Sequence, residues 1–154
     1  MNSDFFYDNH KLGTFKLEHR LSEFKSFDEF EQKYPDEFLK EDCRVGDYLS
    51  ELLFKYDMKA SVVSNAAGKS FSYLGNLING KRHNPSRGTL INFCLVMGTT
   101  LDELQRLLKY SGHQPLYVRR KRDVVIWYGI MKKESIDTIE YNLISRGLKS
   151  LFNE

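Results

Sequence analysis

Ser72, Asn76 and Asn79 are spaced so that a single helix would carry all three on one face. Short hydroxyl and carboxamide side chains in such a row can hydrogen-bond base edges. An Asn amide matches the donor–acceptor pair of adenine, and a Ser hydroxyl suits several bases. Lys69, Lys81 and Arg82 flank the row and can hold phosphates, which fixes position without reading sequence. The densest basic run is Arg119-Arg120-Lys121-Arg122, and two readings of it compete. Either Arg119 and Arg120 clamp a phosphate backbone beside the polar row, or the run is a solvated loop neutralised by the acidic N-terminal segment. The plainer alternative for the polar row is an exposed helix face with no ligand.

Other chemistries find little footing. His10, His19, His83 and His113 are scattered, without metal-ligand spacing or a partnered Cys or Asp. His83 follows the polar row and points to solvent or phosphate rather than to a metal. Strand candidates are few, and no glycine-rich phosphate loop follows one. The expectation is therefore a protein that is not an enzyme and carries no cofactor and no metal. Cys43 and Cys94 belong to no motif, and two isolated thiols suit a reducing cytoplasm better than a disulfide scaffold. No apolar run approaches the ~20 residues a membrane span requires. The N-terminus, with Asp4 and Asp8 among its aromatics, lacks the layout of a signal peptide. A cytoplasmic protein with no membrane association is expected.

Charge sharpens the reading. The net +2 of the 154 residues hides a segregation. Residues 1–43 hold six Lys/Arg against eleven Asp/Glu (−5), residues 44–133 fifteen against six (+9), and residues 134–154 two against four (−2). A basic middle between acidic ends is the footprint of a polyanion binder, although an unevenly charged solvated surface would look the same. With 11 Phe and 9 Tyr the chain can build a core, as one compact domain or as a small domain with an attached helical layer.

The elements that position these residues are helical throughout. Leu17, Leu21 and Phe24, then Phe27, Phe30 and Tyr34, recur at helical spacing, and Ser26 with Glu29 forms a capping box that starts a helix ending before Pro35. These aromatic stripes either pack a core or recruit a protein partner. Val45, Tyr48, Leu49, Leu52, Leu53 and Tyr56 trace one buried helix face. A short helix follows over Ala60 to Ala67, with Val62, Val63, Ala66 and Ala67 inward. Gly68 permits the positive φ of a sharp turn. Ser70 would then cap a third helix burying Leu74, Leu77 and Ile78 and ending at Asn79-Gly80. Pro85-Ser86 open a fourth helix with Leu90, Ile91, Cys94 and Leu95. The Thr100/Glu103 capping box opens a fifth with Leu101, Leu104, Leu107 and Leu108, closed near Gly112. Beyond it the basic run leads into a sixth helix carrying Val124 to Tyr128, Ile130 and Met131. Ser135 caps a seventh with Ile136, Ile139, Leu143 and Ile144, ending at Gly147.

The stretch Met58 to Ser86, MKASVVSNAAGKSFSYLGNLINGKRHNPS, resembles the lambda-repressor-like (XRE) helix-turn-helix family of bacterial and phage transcriptional regulators. The likeness rests on Val63, Gly68 at the turn, Ser70 and Ser72, Leu74 and Leu77. It ends on Gly80, Arg82, Pro85 and Ser86 in a G-x-R-x-x-P-S pattern one residue longer than the commonest form. It covers Val45 to about Tyr110, and the text after Pro115-Leu116-Tyr117 looks like an extension found in some members. The resemblance implies an all-α fold, a lambda-repressor-like five-helix DNA-binding bundle with additional N-terminal and C-terminal helices. It divides the chain into an acidic aromatic segment (1–43), a helix-turn-helix domain (44–112) and a C-terminal helical extension (113–154).

It also implies that Phe71, Ser72, Tyr73, Asn76 and Asn79 face the bases and that Lys69, Lys81 and Arg82 meet phosphates of duplex DNA. This chain departs from the family pattern at Ala60, where relatives carry a phosphate-gripping Gln, and at Ser64, where they carry a small Ala. Its third helix lacks Arg, Gln and Lys, so no bidentate guanine contact is available there. Phe71, Leu74 and Ile78 also share a face, which leaves Phe71 between the groove and the core. Members of the family gain specificity by dimerising on two-fold sites, and a homodimer is expected through the apolar sixth and seventh helices, unless the N-terminal helices cover them instead. Two functions fit this reading: a DNA-binding transcriptional regulator, and a protein-interaction module on the same fold that has lost base reading.

Overall fold

The structure, a computed structural model, describes residues 14–38 and 44–153. Asp4, Asp8, His10 and Cys43 lie outside the described residues. Among those described the chain is all-helical, with nine helices and no strand. None of these helices is long and apolar enough to cross a membrane. The chain divides into two compact units, residues 1–42 and 43–154.

The first unit holds α1 (Thr14–Leu21) and α2 (Phe27–Lys33). Ser26 Oγ accepts the Glu29 amide at 3.2 Å and starts α2, which stops ahead of Pro35. The aromatic stripes meet in a small cluster. Phe30 is buried, with the Phe24 and Tyr34 rings each 5.4 Å away, whereas Phe27 and Phe38 stay exposed.

The second unit holds α3 (Val45–Lys55), α4 (Ala60–Ala66), α5 (Tyr73–Ile78), α6 (Arg87–Met97), α7 (Leu101–Tyr110), α8 (Lys121–Met131) and α9 (Ile136–Ile144). The stripe expected on α3 faces the core: Leu49, Leu52 and Leu53 are buried, and Val45, Tyr48 and Tyr56 pack at its edge. Gly46 lets α3 rest directly on the end of α5, since a Cβ there would come within 2.7 Å of the Leu77 carbonyl oxygen. Ser86, Thr100 and Ser135 each cap the following helix by accepting the amide three residues on, and Thr100 with Glu103 closes a full capping box. Glu103 also ties α7 to α3. Its carboxylate takes Lys55 Nζ at 3.0 Å and the Tyr56 hydroxyl.

Two expectations are corrected by the packing. Val62 (52% exposed) and Ala66 turn outward, because α4 buries only the side with Val63, Ser64 and the following Ala67. Ile144 likewise faces outward from α9, whose buried side is Ile139 and Leu143.

The helices of 113–154 share one core with those of 44–112. Leu116, Ile126, Ile139, Leu143 and Leu151 belong to the same buried cluster as Leu74, Phe93 and Leu104. In consequence α6 is enclosed on nearly every side, with residues Gly88 to Cys94 all buried. The far side is closed by the C-terminal tail, where Asn92 Nδ2 donates to the Leu151 carbonyl at 3.1 Å. The tail is fixed in turn by Glu140, which takes the Leu151 amide at 3.0 Å and the Ser150 hydroxyl, and by Arg122, which donates to the Lys149 carbonyl at 2.9 Å.

Candidate nucleic-acid interface

α4 and α5 are joined by a tight turn at Ala67–Ser72. Gly68 adopts φ +75°, a region other residues rarely enter, and the Lys69 amide closes back onto the Ser64 carbonyl at 2.9 Å. α5 begins at Tyr73, three residues beyond Ser70, which starts only a turn. Its neighbour Ser72 makes no capping bond. Instead Ser64, fully buried on α4, accepts the Leu74 amide through Oγ at 3.0 Å. That bond satisfies one of the orphan donors of the first turn from a neighbouring helix. Ser64 therefore stitches the two helices together, a role that a ten-residue separation hid from local sequence signals.

Leu74 and Leu77 bury one side of α5 and Ile78 packs at its edge. The opposite side is partly accessible within the helix and exposed at its two ends. Phe71 is 70% exposed, so it leaves the core to Leu74 and stands bare on the turn just before α5. Ser72 is exposed beside it and Asn76 is half-buried. Asn79 is exposed, but its Oδ1 accepts the Lys81 amide at 3.0 Å and shapes the turn out of the helix. Gly75 was not singled out from sequence. A Cβ on it would meet nothing within 4 Å, so no internal packing calls for glycine there. It is half-buried and lies beside Asn76.

Cations stand at both ends of this polar side. The Arg82 guanidinium lies 4.4 Å from the Tyr73 ring centroid and Lys69 Nζ lies 5.4 Å from it, while the ring is 6.0 Å from Phe93. Tyr73 is thus a half-buried platform that gathers two cations at the start of α5. A guanidinium held over a ring in this way keeps N–H donors at its edge that can meet a phosphate. The chain returns to α5 here, since the Arg82 amide donates to the Asn76 carbonyl at 2.9 Å. Lys81 is exposed. Arg44, which sequence reading passed over, brings a guanidinium nitrogen 3.2 Å from where a Cβ on Gly80 would sit.

The basic run is divided by the fold. Arg122 turns inward to the carbonyls of Lys149 and Ser150, whereas Arg119, Arg120 and Lys121 are exposed. The chain leading to them is anchored at the N-terminal end of α6. Arg87 forms a bidentate pair with Asp123 at 2.9 and 3.0 Å and donates to the carbonyls of Gln114 and Pro115. His113 Nε2 meets the Pro85 carbonyl at 2.9 Å. The loop leaving α5 enters this same end of α6. Arg87, Lys55 and Arg106 pair with carboxylates and Arg122 with carbonyls, while Lys81, Arg82, Arg119, Arg120 and Lys121 are exposed, as are Lys59, Lys109, Lys132 and Lys133 elsewhere on the unit.

A polar side with one bare aromatic, a glycine that no internal packing calls for and cations at its ends can seat a polyanion with accessible base edges. Among known proteins, no family model, no curated protein and no solved structure matches this chain.

Proposed function

We propose that this protein binds duplex DNA through a lambda-repressor-like helix-turn-helix made of α4, the turn at Gly68 and α5, and that it acts as a transcriptional regulator. The observation that carries the reading is the polar side of α5. Phe71, Ser72 and Asn76 project from a unit held by the Ser64–Leu74 bond, between Lys69 and Arg82 at one end and Lys81 at the other. In this reading Phe71, Ser72, Tyr73 and Asn76 lie toward the groove. Lys69, Lys81, Arg82, Arg119 and Arg120 meet the backbone, and Asn79 serves the turn.

The regulator is proposed to act as a homodimer on a two-fold site. Ile126 is fully buried within the protomer, and Val125, Trp127 and Ile130 are partly covered. What remains for a second copy is Val124, Tyr128, Tyr141 and Ile144, all exposed.

A second reading has its own support. Phe54 is 91% exposed and Phe71 70%, an unusual outlay of bare aromatic surface that a protein partner could cover. Fluorescence-anisotropy titration of the full chain with random and genomic duplexes at low and moderate salt separates the two. Binding that weakens by roughly one to a few orders of magnitude with added salt supports the DNA reading. No duplex binding at about 50 mM salt would leave the protein-interaction module.

A further inference from the structure

We infer that the polar side of α5 selects A·T base pairs, with Phe71 against thymine methyl groups and Asn76 on adenine. This inference rests on the DNA-binding reading and asks what the same surface would prefer. Guanine offers two acceptors in the major groove and is matched by the paired donors of Arg or Lys. α5, spanning Tyr73–Ile78, carries neither. The Arg82 guanidinium lies over the Tyr73 ring at the start of the helix. Cytosine calls for an acidic acceptor, and α5 has none in its first turn or beyond it.

What the surface does present is one apolar contact and one carboxamide. Phe71 is 70% exposed at the head of α5, an aromatic that gives nothing to the core and is suited to a C5-methyl group. Of the two asparagines, Asn79 has its acceptor oxygen committed to the Lys81 amide, so the bidentate match to adenine N6 and N7 falls to Asn76. Gly75, beside Asn76, removes the side chain that would hold the base edge away. Ser72 discriminates weakly because a hydroxyl can donate or accept.

The test uses the full chain and three short duplexes: alternating A and T, the same with uracil in place of thymine, and alternating G and C. Uracil removes only the methyl group. The expected result is tightest binding to the thymine duplex, weakened about fourfold for each contacted methyl lost. Phe71→Ala abolishes the thymine–uracil difference with an unchanged unfolding midpoint, since Phe71 is outside the core. Asn76→Ala lowers the preference for A·T over G·C by roughly 5- to 150-fold. Equal binding to all three duplexes, a preference for G·C, or a thymine–uracil difference that survives Phe71→Ala would overturn the inference while leaving DNA binding intact. Failure to bind any duplex would instead remove the DNA-binding reading, and this inference with it.

Discussion

Gly75→Ala is expected to make the protein more stable and a poorer DNA binder. Gly75 lies inside α5, and its φ is outside the left-handed region that Gly68 and Gly80 occupy. A Cβ added there meets nothing within 4 Å, so the substitution introduces no clash. Alanine loses less backbone entropy on folding and is the better helix former. The expected gain is about 0.5–1 kcal/mol, toward the lower end because the residue sits in the first turn of a six-residue helix. For a unit of this size that raises the melting temperature by about 2–5 °C. If DNA approaches the α5 backbone, the same methyl intrudes on a close-packed contact. Overpacking of that kind costs about 1–3 kcal/mol, a loss of roughly 5- to 150-fold in affinity. Thermal unfolding and duplex titration on one preparation read both quantities. A stabilised variant with undiminished affinity would show that nothing approaches α5 at Gly75, and the proposed groove-facing side would be wrong.

Other consequences can be measured on the same protein. Ser64→Ala leaves the buried Leu74 amide without its acceptor and should lower stability by about 1–3 kcal/mol in urea unfolding, whereas a surface serine such as Ser72 should change it little. Lys81→Ala and Arg82→Ala should weaken cognate and random duplexes alike and flatten the salt dependence by about one unit each, and a variant that alters only sequence preference would contradict a phosphate role. Burial pushes the Cys94 thiol up to about 12. Burial, and then Glu103, likewise raise the hydroxyls of Tyr48 and Tyr56 above the usual tyrosine range. Folding therefore favours the protonated forms. Their stabilisation is complete below the unfolded thiol value of about 8.5 and is lost as pH climbs toward the folded values, by up to about 1.4 kcal/mol per pH unit for the fully buried thiol and by less for the partly exposed tyrosines. A urea midpoint that stays flat between about pH 9 and 11 would contradict this burial.

The parts of the fold written in local signals could be read from the sequence. The α3 stripe, the positive φ at Gly68 and the caps at Ser26, Ser86, Thr100 and Ser135 each depend on residues within a turn or two of one another. What escaped was set by distant partners. The head of α5 is satisfied by Ser64, ten residues back, so the local cue at Ser70 placed the helix start too early. α6 reads as one-sided at Leu90, Ile91, Cys94 and Leu95, yet a tail 59 residues away closes its other side through Asn92. Periodicity gave Val62 and Ile144 no means to show that their helices bury a narrower arc.

In the candidate interface, the polar row and its flanking cations follow from spacing. The diversion of Asn79 to the turn, the stacking of Arg82 on Tyr73, and the inward turn of Arg122 required coordinates. Gly75 was passed over because its signal is the empty space around it.

The central claim is that the turn before α5 and its polar side touch duplex DNA. Hydrogen–deuterium exchange of the full chain with and without a saturating duplex addresses it directly. The account predicts added protection confined to the peptides spanning residues 69–82, with a second region at 119–121 and no change across the enclosed α6. Protection restricted to α8 and α9, or none at all under conditions where the duplex is bound, would contradict it.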